Sequence, residues 1–393
     1  MIFEGTGKNG EIISYHDTKR WLWLSGPVMM LTLVIALASF IFIQPALWLL
    51  LGCAFYFYIL VPVLDLLVGY DTENPPEEVT AAMSTDPYYD YIAYAMIPIC
   101  FALFILSAYI ITNYELPFWA SLILILGVGM INGNTMTVAH ELGHRNTRLN
   151  RLMTKISLSL SGYGHFTVEH NAGHHVKVAT PEDCASSKMG ETIYQFILRE
   201  IPGTFLGAYR LQAKRMKAQG LSFWHWKNDI LQVYAITLMM AAVMIVWLGP
   251  KVLPFILLHH FLVWYTLTQA NYIEHYGLLR QKKANGKYER CQPKHSWNTN
   301  HRVSNLVTLH LQRHSDHHAN PMRPYQTLRD FKDVPSLPSG YPGCWILAAI
   351  PPLWFAVMDR RVMAWANGRI DEINMTEKKR VQLSAKQTYL ENN

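Results

Sequence analysis

The chain has 393 residues, of which 51% are apolar, 12% aromatic and only 16% charged, with a formal net charge of +6. Soluble domains carry about 25% charged residues, so the composition excludes a disordered chain, a collagen and a small disulfide scaffold, and argues against an ordinary soluble enzyme. Five cysteines without a C-x-x-C pair argue against a disulfide framework and a cysteine-ligated iron or zinc site.

Six apolar stretches reach the roughly 20 residues that a membrane-spanning helix needs. The first, 21–44, is too long for a cleavable signal peptide and no small-residue cleavage site follows it. A turn at Pro45 leads into the second, 46–68. An acidic loop, 69–91, precedes the third and fourth spans, 92–112 and 117–139, which are joined by a short turn at 113–116. The fourth ends in His140-Glu-Leu-Gly-His144. A polar stretch, 140–229, contains His170-Asn-Ala-Gly-His174-His175. The fifth and sixth spans, 230–248 and 252–269, turn at 249–251, and His275 lies just past them. A second polar stretch, 271–393, contains His314-Ser-Asp-His317-His318. Residues 345–357 are apolar but short and interrupted by Pro351 and Pro352, which predicts an interfacial or cap helix. The fold class expected is all-α: one integral membrane domain over 1–393, six transmembrane helices with a cytoplasmic helical cap.

Charge sets the orientation. Of 34 Lys and Arg, 33 fall on the side that holds the N-terminus, and Lys251 alone lies on the other. The positive-inside rule places both termini and both polar stretches in the cytoplasm. The loop at 69–91 holds six acids and no base, but acids count little in that rule. The basic cytoplasmic stretches suit anionic lipid headgroups or an acidic soluble partner. Topology accounts for the basic residues, which leaves no case for nucleic-acid binding.

The 17 histidines are the outlier in composition. Residues at i and i+3 or i+4 share one helix face. His140 and His144 can therefore point at one spot, as can His170 and His174, and His314, His317 and His318 form a tighter group. Imidazole suits iron, zinc and copper, and these donors exceed what one four-coordinate zinc uses; they suffice for two metal ions. Spacing alone leaves His275 unassigned. The first cluster is also a literal H-E-x-x-H, the zinc metalloprotease signature, so a membrane protease is a competing reading that leaves two clusters without a task. A transporter fits poorly, because the spans carry almost no charge beyond Asp65.

The residues resemble the membrane-bound, non-haem di-iron alkane 1-monooxygenases over nearly the whole chain. The matching segments are NPPEE at 74, HELGH at 140, GYGHF at 162, EHNAGHH at 169, VATPEDCA at 178, NYIEHYGLLR at 271, LQRHSDHHANPMRPYQTLRDF at 311 and PSGYPG at 338. The boxes alone define a broad superfamily that includes fatty-acid desaturases and hydroxylases, whereas NYIEHYG and LQRHSDHHANP are specific to the alkane enzymes. Cys184 departs from the pattern, where the family usually has proline. The resemblance implies that His140, His144, His170, His174, His175, His275, His314, His317 and His318 bind two iron ions. It implies terminal hydroxylation of medium-chain n-alkanes with dioxygen, in a bacterial inner membrane, with electrons from NADH through a rubredoxin reductase and a rubredoxin.

The chemistry agrees with that implication. An unactivated methyl group offers no acid, leaving group or handle, so the metal must be redox-active, which zinc is not. The chain has no dinucleotide fingerprint, P-loop, haem motif or rubredoxin-type cysteine pairs, so such an enzyme needs an external electron carrier. Bases near 280–302 are candidates for docking it. Carboxylates commonly orient metal-bound histidines; Glu141, Glu169, Asp183, Glu274 and Asp316 lie close enough to the boxes to do so, and Asp316→Ala is expected to lower iron occupancy. An apolar tunnel among the spans would take an alkane end-on, with Phe57 as a chain-length determinant. The alternative is a membrane di-iron hydroxylase or desaturase acting on another lipid or an alkyl-aromatic substrate.

Overall fold

A computed structural model describes residues 1–43 and 48–391. Among these, five helices are long and apolar enough to cross a membrane: Arg20–Ile43, Pro87–Asn113, Phe118–Gly143, Asp229–Leu248 and Pro250–His275. They correspond to the first, third, fourth, fifth and sixth expected spans. The second is helical from Trp48 to Val68 with a π turn at Tyr56–Leu60, and its apolar part, Gly52–Val68, is shorter than the others. The turn expected at Pro45 lies outside the described residues. The protein is integral to the membrane and mainly helical.

Local chemistry sets the helix limits. Asp86 caps the third span, accepting from the Tyr88 amide at 2.9 Å, with Pro87 at its first position. The fourth span packs against the second and the sixth. Glycines permit this: a Cβ at Gly127 would lie 2.7 Å from the Ala54 amide nitrogen, and one at Gly133 would lie 2.4 Å from Thr266 Cγ2. The fourth span is accordingly 78% buried in its apolar window, while the fifth is 22% buried.

The apolar stretch near 345–357 forms two helices, Tyr341–Ala348 and Pro351–Trp365, bent by 119° where the proline pair stands. Asp65, the charge within the second span, is buried and accepts the Ser304 amide at 2.9 Å, so it pins that span to the cap. The all-α expectation omitted one feature. Ile2–Thr6 and Ile12–His16 form an antiparallel hairpin, and Gly5 lies so close to Glu78 that a Cβ would stand 2.0 Å from its carbonyl oxygen. Docking of this kind supports strands too short to be stable alone.

Candidate metal centre

The helix Asn134–Gly143 presents His140 on its last turn, and His144 stands at its C-cap. The chain then runs through the helix Arg148–Ser161, which Thr147 caps and Gly162 ends in the left-handed region at φ +62°. It re-enters the site at Phe166–Glu169, followed by a π turn at His170–His174. A π turn places i and i+5 together, and such turns recur at functional sites. Here it brings His170 Nε2 and His175 Nε2 to 3.0 Å. The sixth span is longer than expected and carries Glu274 and His275 on its last turn. His314, His317 and His318 lie on the short helix His314–Ala319.

All nine histidines converge. Two sets of four could each hold a metal ion: His140, His144, His170 and His317, and His174, His275, His314 and His318. Within each set the donor atoms all lie within 4.8 Å of one another. This differs from the grouping expected from spacing. The π turn sends His170 to one set and His174 to the other, and His317 leaves its two neighbours for the set of His140. His175 belongs to neither set; its Nε2 is 3.0 Å from His170 Nε2 and 3.1 Å from His317 Nε2, while its ring lies 4.4 Å from that of His318.

The donor chemistry fits metal ions. The Nε2 atoms of His140, His144, His174 and His275 are buried without hydrogen-bond partners. A buried polar atom left unmatched costs about 1–3 kcal/mol, and four in one cluster call for a ligand. Burial holds His170, His314, His317 and His318 well below the ordinary imidazole range. Burial and the neighbouring Arg145 bring His144 down to about 4. Neutral imidazole is the metal-binding form. His174 is the exception: burial pulls it down, but the Asp183 carboxylate outweighs this and raises it.

The five carboxylates divide. Asp183 Oδ2 meets His174 Nδ1 at 2.9 Å and accepts from Ser186 Oγ at 2.6 Å. Glu274 Oε2 lies 3.2 Å from His314 Nε2, and its Oε1 accepts from the Tyr341 hydroxyl at 2.8 Å. The other three make no hydrogen bond or ion pair to a histidine. Glu141 is taken by Arg145 and the Tyr325 amide, which also removes it as the base of a protease. Asp316 binds the Arg329 guanidinium and amide, because its helix turns it toward the 323–329 loop. Glu169 faces a small cavity instead. His275 is oriented by a backbone group, with Nδ1 3.3 Å from the His295 carbonyl oxygen.

A cavity lies against His140, His170 and His314. Phe57, Met136, Leu267, Leu311 and Trp345 give it an apolar wall. Phe57 is buried and stacks on Trp345 at 5.4 Å with the rings 6° from parallel. Sequence reasoning did not single out Trp345, Tyr341 or Asn271. For Asn271 a signal existed: it lies one helical turn before His275 on the same face. Tyr341 and Trp345 reach the site only through the bent helix pair.

Comparison with known proteins places the chain in a family. The fatty acid desaturase family model matches residues 117–348. The chain is 46% identical over 332 residues to an alkane 1-monooxygenase of Pseudomonas putida, covering 84% of this chain and 83% of that protein. It is 45% identical over 361 residues to alkane 1-monooxygenase 1 of Alcanivorax borkumensis, covering 92% and 89%. It is also 26% identical over 319 residues to the xylene/toluene monooxygenase hydroxylase component XylM of Pseudomonas putida, covering 79% and 81%.

Proposed function

The chain belongs to the alkane 1-monooxygenases, within the fatty acid desaturase family, and on that premise we propose that it hydroxylates medium-chain n-alkanes at the terminal carbon to give 1-alkanols. The nine histidines would hold two iron ions. The observation that carries the reading is the apolar cavity ending on His140, His170 and His314.

Bound iron would supply the oxidising power, drawn from dioxygen, that an unactivated C–H bond requires. The residues of the chain position and exclude. The apolar wall takes an alkane from the lipid and keeps water from the histidines. Phe57 and Trp345 pack face to face and limit how far the chain extends, so a methyl end meets the histidines. Asp183 and the His295 carbonyl fix the rings of His174 and His275.

The chain would lie in a bacterial inner membrane with both termini cytoplasmic, as its basic stretches favour. Its electrons would come from reduced rubredoxin, a small acidic protein suited to the basic cap, supplied in turn by an NADH-dependent reductase. Turnover at fixed carrier is expected to fall steeply with added salt, and a rate unchanged across a wide salt range would remove electrostatic docking.

The test is a product assay with rubredoxin, its reductase, oxygen and n-octane, read by gas chromatography with mass detection. 1-Octanol is expected, absent in a His314→Ala control. Iron-loaded, reduced protein that forms no alkanol would refute the reading and favour oxidation of another lipid or of an alkyl-aromatic substrate, the class named for the XylM relative. Phe57→Ala is expected to shift the accepted alkanes to longer chains; an unchanged range would remove its role.

A further inference from the structure

The histidine cluster has a second cavity that alkane binding does not use. It is small, with room for about one water, and touches His170 from one set and His174 from the other. Its wall includes Tyr163, Glu169, Glu200 and Thr204. Phe166, His170, Leu267 and Asn271 line both cavities.

Glu200 is the unexplained group. It lies on the cytoplasmic helix Ile193–Ala218 and is fully buried. Oε2 accepts from Thr268 Oγ1 at 2.8 Å and Oε1 from Asn271 Nδ2 at 3.1 Å. Both donors are neutral. The adjacent Arg199 is committed to Glu191 at 2.8 Å. A buried carboxylate matched only by neutral donors is costly to keep charged. Burial pushes Glu200 up to about 7, against the pull of Thr268, Asn271 and Arg199 and with a push from Asp183. The other titratable groups around the cavity are Tyr163, Glu169, His170 and His174. Tyr163 Oη lies 3.0 Å from Thr204 Oγ1, which extends the polar side away from the alkane chamber.

We propose that Glu200 is a proton-relay residue, delivering protons to the histidine centre through the small cavity while the alkane occupies the large one. This rests on the monooxygenase reading. In that reaction an alkane, one dioxygen, two electrons and two protons give an alkanol and one water. The C–H bond is replaced by a C–O bond. Dioxygen is reduced by two electrons from the carrier and two from the C–H bond, and its second oxygen leaves as water with the two protons. Glu200 gives up its carboxyl proton toward the centre and is reprotonated from the cytoplasmic side.

The experiment compares wild type, Glu200→Gln, Glu200→Asp and Thr268→Val as iron-loaded full-length proteins, with carrier, reductase and n-octane. Metal per chain, 1-octanol per oxygen consumed, hydrogen peroxide release and the solvent isotope effect are measured. An infrared difference spectrum of the metal-free proteins tests for a protonated-carboxyl band present in wild type and absent from Glu200→Gln. The expected result is full metal content in Glu200→Gln, octanol formation down about tenfold or more, peroxide in place of product and a larger solvent isotope effect. Glu200→Asp is expected to recover part of the coupling, and Thr268→Val, which loosens the same helix contact but keeps the carboxyl, to stay coupled. Wild-type coupling in Glu200→Gln would overturn the relay. So would metal loss in Glu200→Gln, or equal uncoupling in Thr268→Val, either of which would make Glu200 a tie between helices. Wild-type protein that forms no alkanol would overturn the underlying reading, and the relay with it.

Discussion

The two histidine sets match in donor number and differ in what stands behind the rings. His174 and His275 are backed at Nδ1 by Asp183 and the His295 carbonyl, and Glu274 lies against His314 Nε2, the nitrogen that also faces His318. His140, His144, His170 and His317 are surrounded by other imidazoles, with Phe166 stacked on His170 at 5.0 Å. Of the acids next to them in sequence, Glu141 is diverted to Arg145 and Asp316 to Arg329. Negative charge close to bound cations strengthens their binding, and a carboxylate on the far ring nitrogen raises ligand basicity. The two positions are therefore expected to differ, with the set that contains the Asp183-backed His174 binding metal more tightly.

Removing one ligand from each set gives the sharpest test. His144→Ala and His318→Ala should both abolish octanol formation, but His144→Ala should keep about one metal per chain and His318→Ala distinctly less. Equal retention, read by metal analysis of purified protein, would break the comparison. Asp183→Ala should then weaken metal binding about 10–100-fold, whereas Glu141→Gln, which touches no histidine, should change it far less. Removal of metal from wild type by a chelator should proceed in two phases, with Asp183→Ala speeding the slower one; a single phase would mean that the sets are equivalent. The smallest effect on metal is expected from Asp316→Ala. It should lower stability by about 2 kcal/mol through its lost bonds to Arg329, seen as earlier thermal unfolding, with metal content unchanged.

Much of the centre was legible from spacing, because i and i+4 histidines on a helix must share a face. That logic brought His140 together with His144, and His314 with His318. It failed at His170 and His174 because a π turn changes the period, and nothing in a list of residues announces one. Asp316 illustrates a related limit: adjacency to ligands does not determine which way a side chain turns on its helix. The spans were legible from their apolar length, whereas the N-terminal hairpin depends on docking against Glu78, a contact far away in sequence. Glu200 was invisible for the same reason. It sits in an ordinary amphipathic helix, and only its meeting with Thr268 and Asn271 makes it unusual.

Each histidine set draws its donors from both sides of the fifth and sixth spans: His317 completes one set begun at His140, and His314 and His318 complete the other begun at His174. During synthesis neither set can reach four donors until both of those spans have been made and the chain has emerged through His317 for one set and His318 for the other. A nascent chain therefore offers the cell's iron only partial sites. On the proposed function, iron loading would be a late, post-insertion event, and a protein truncated anywhere before His317 would be left without a single complete set.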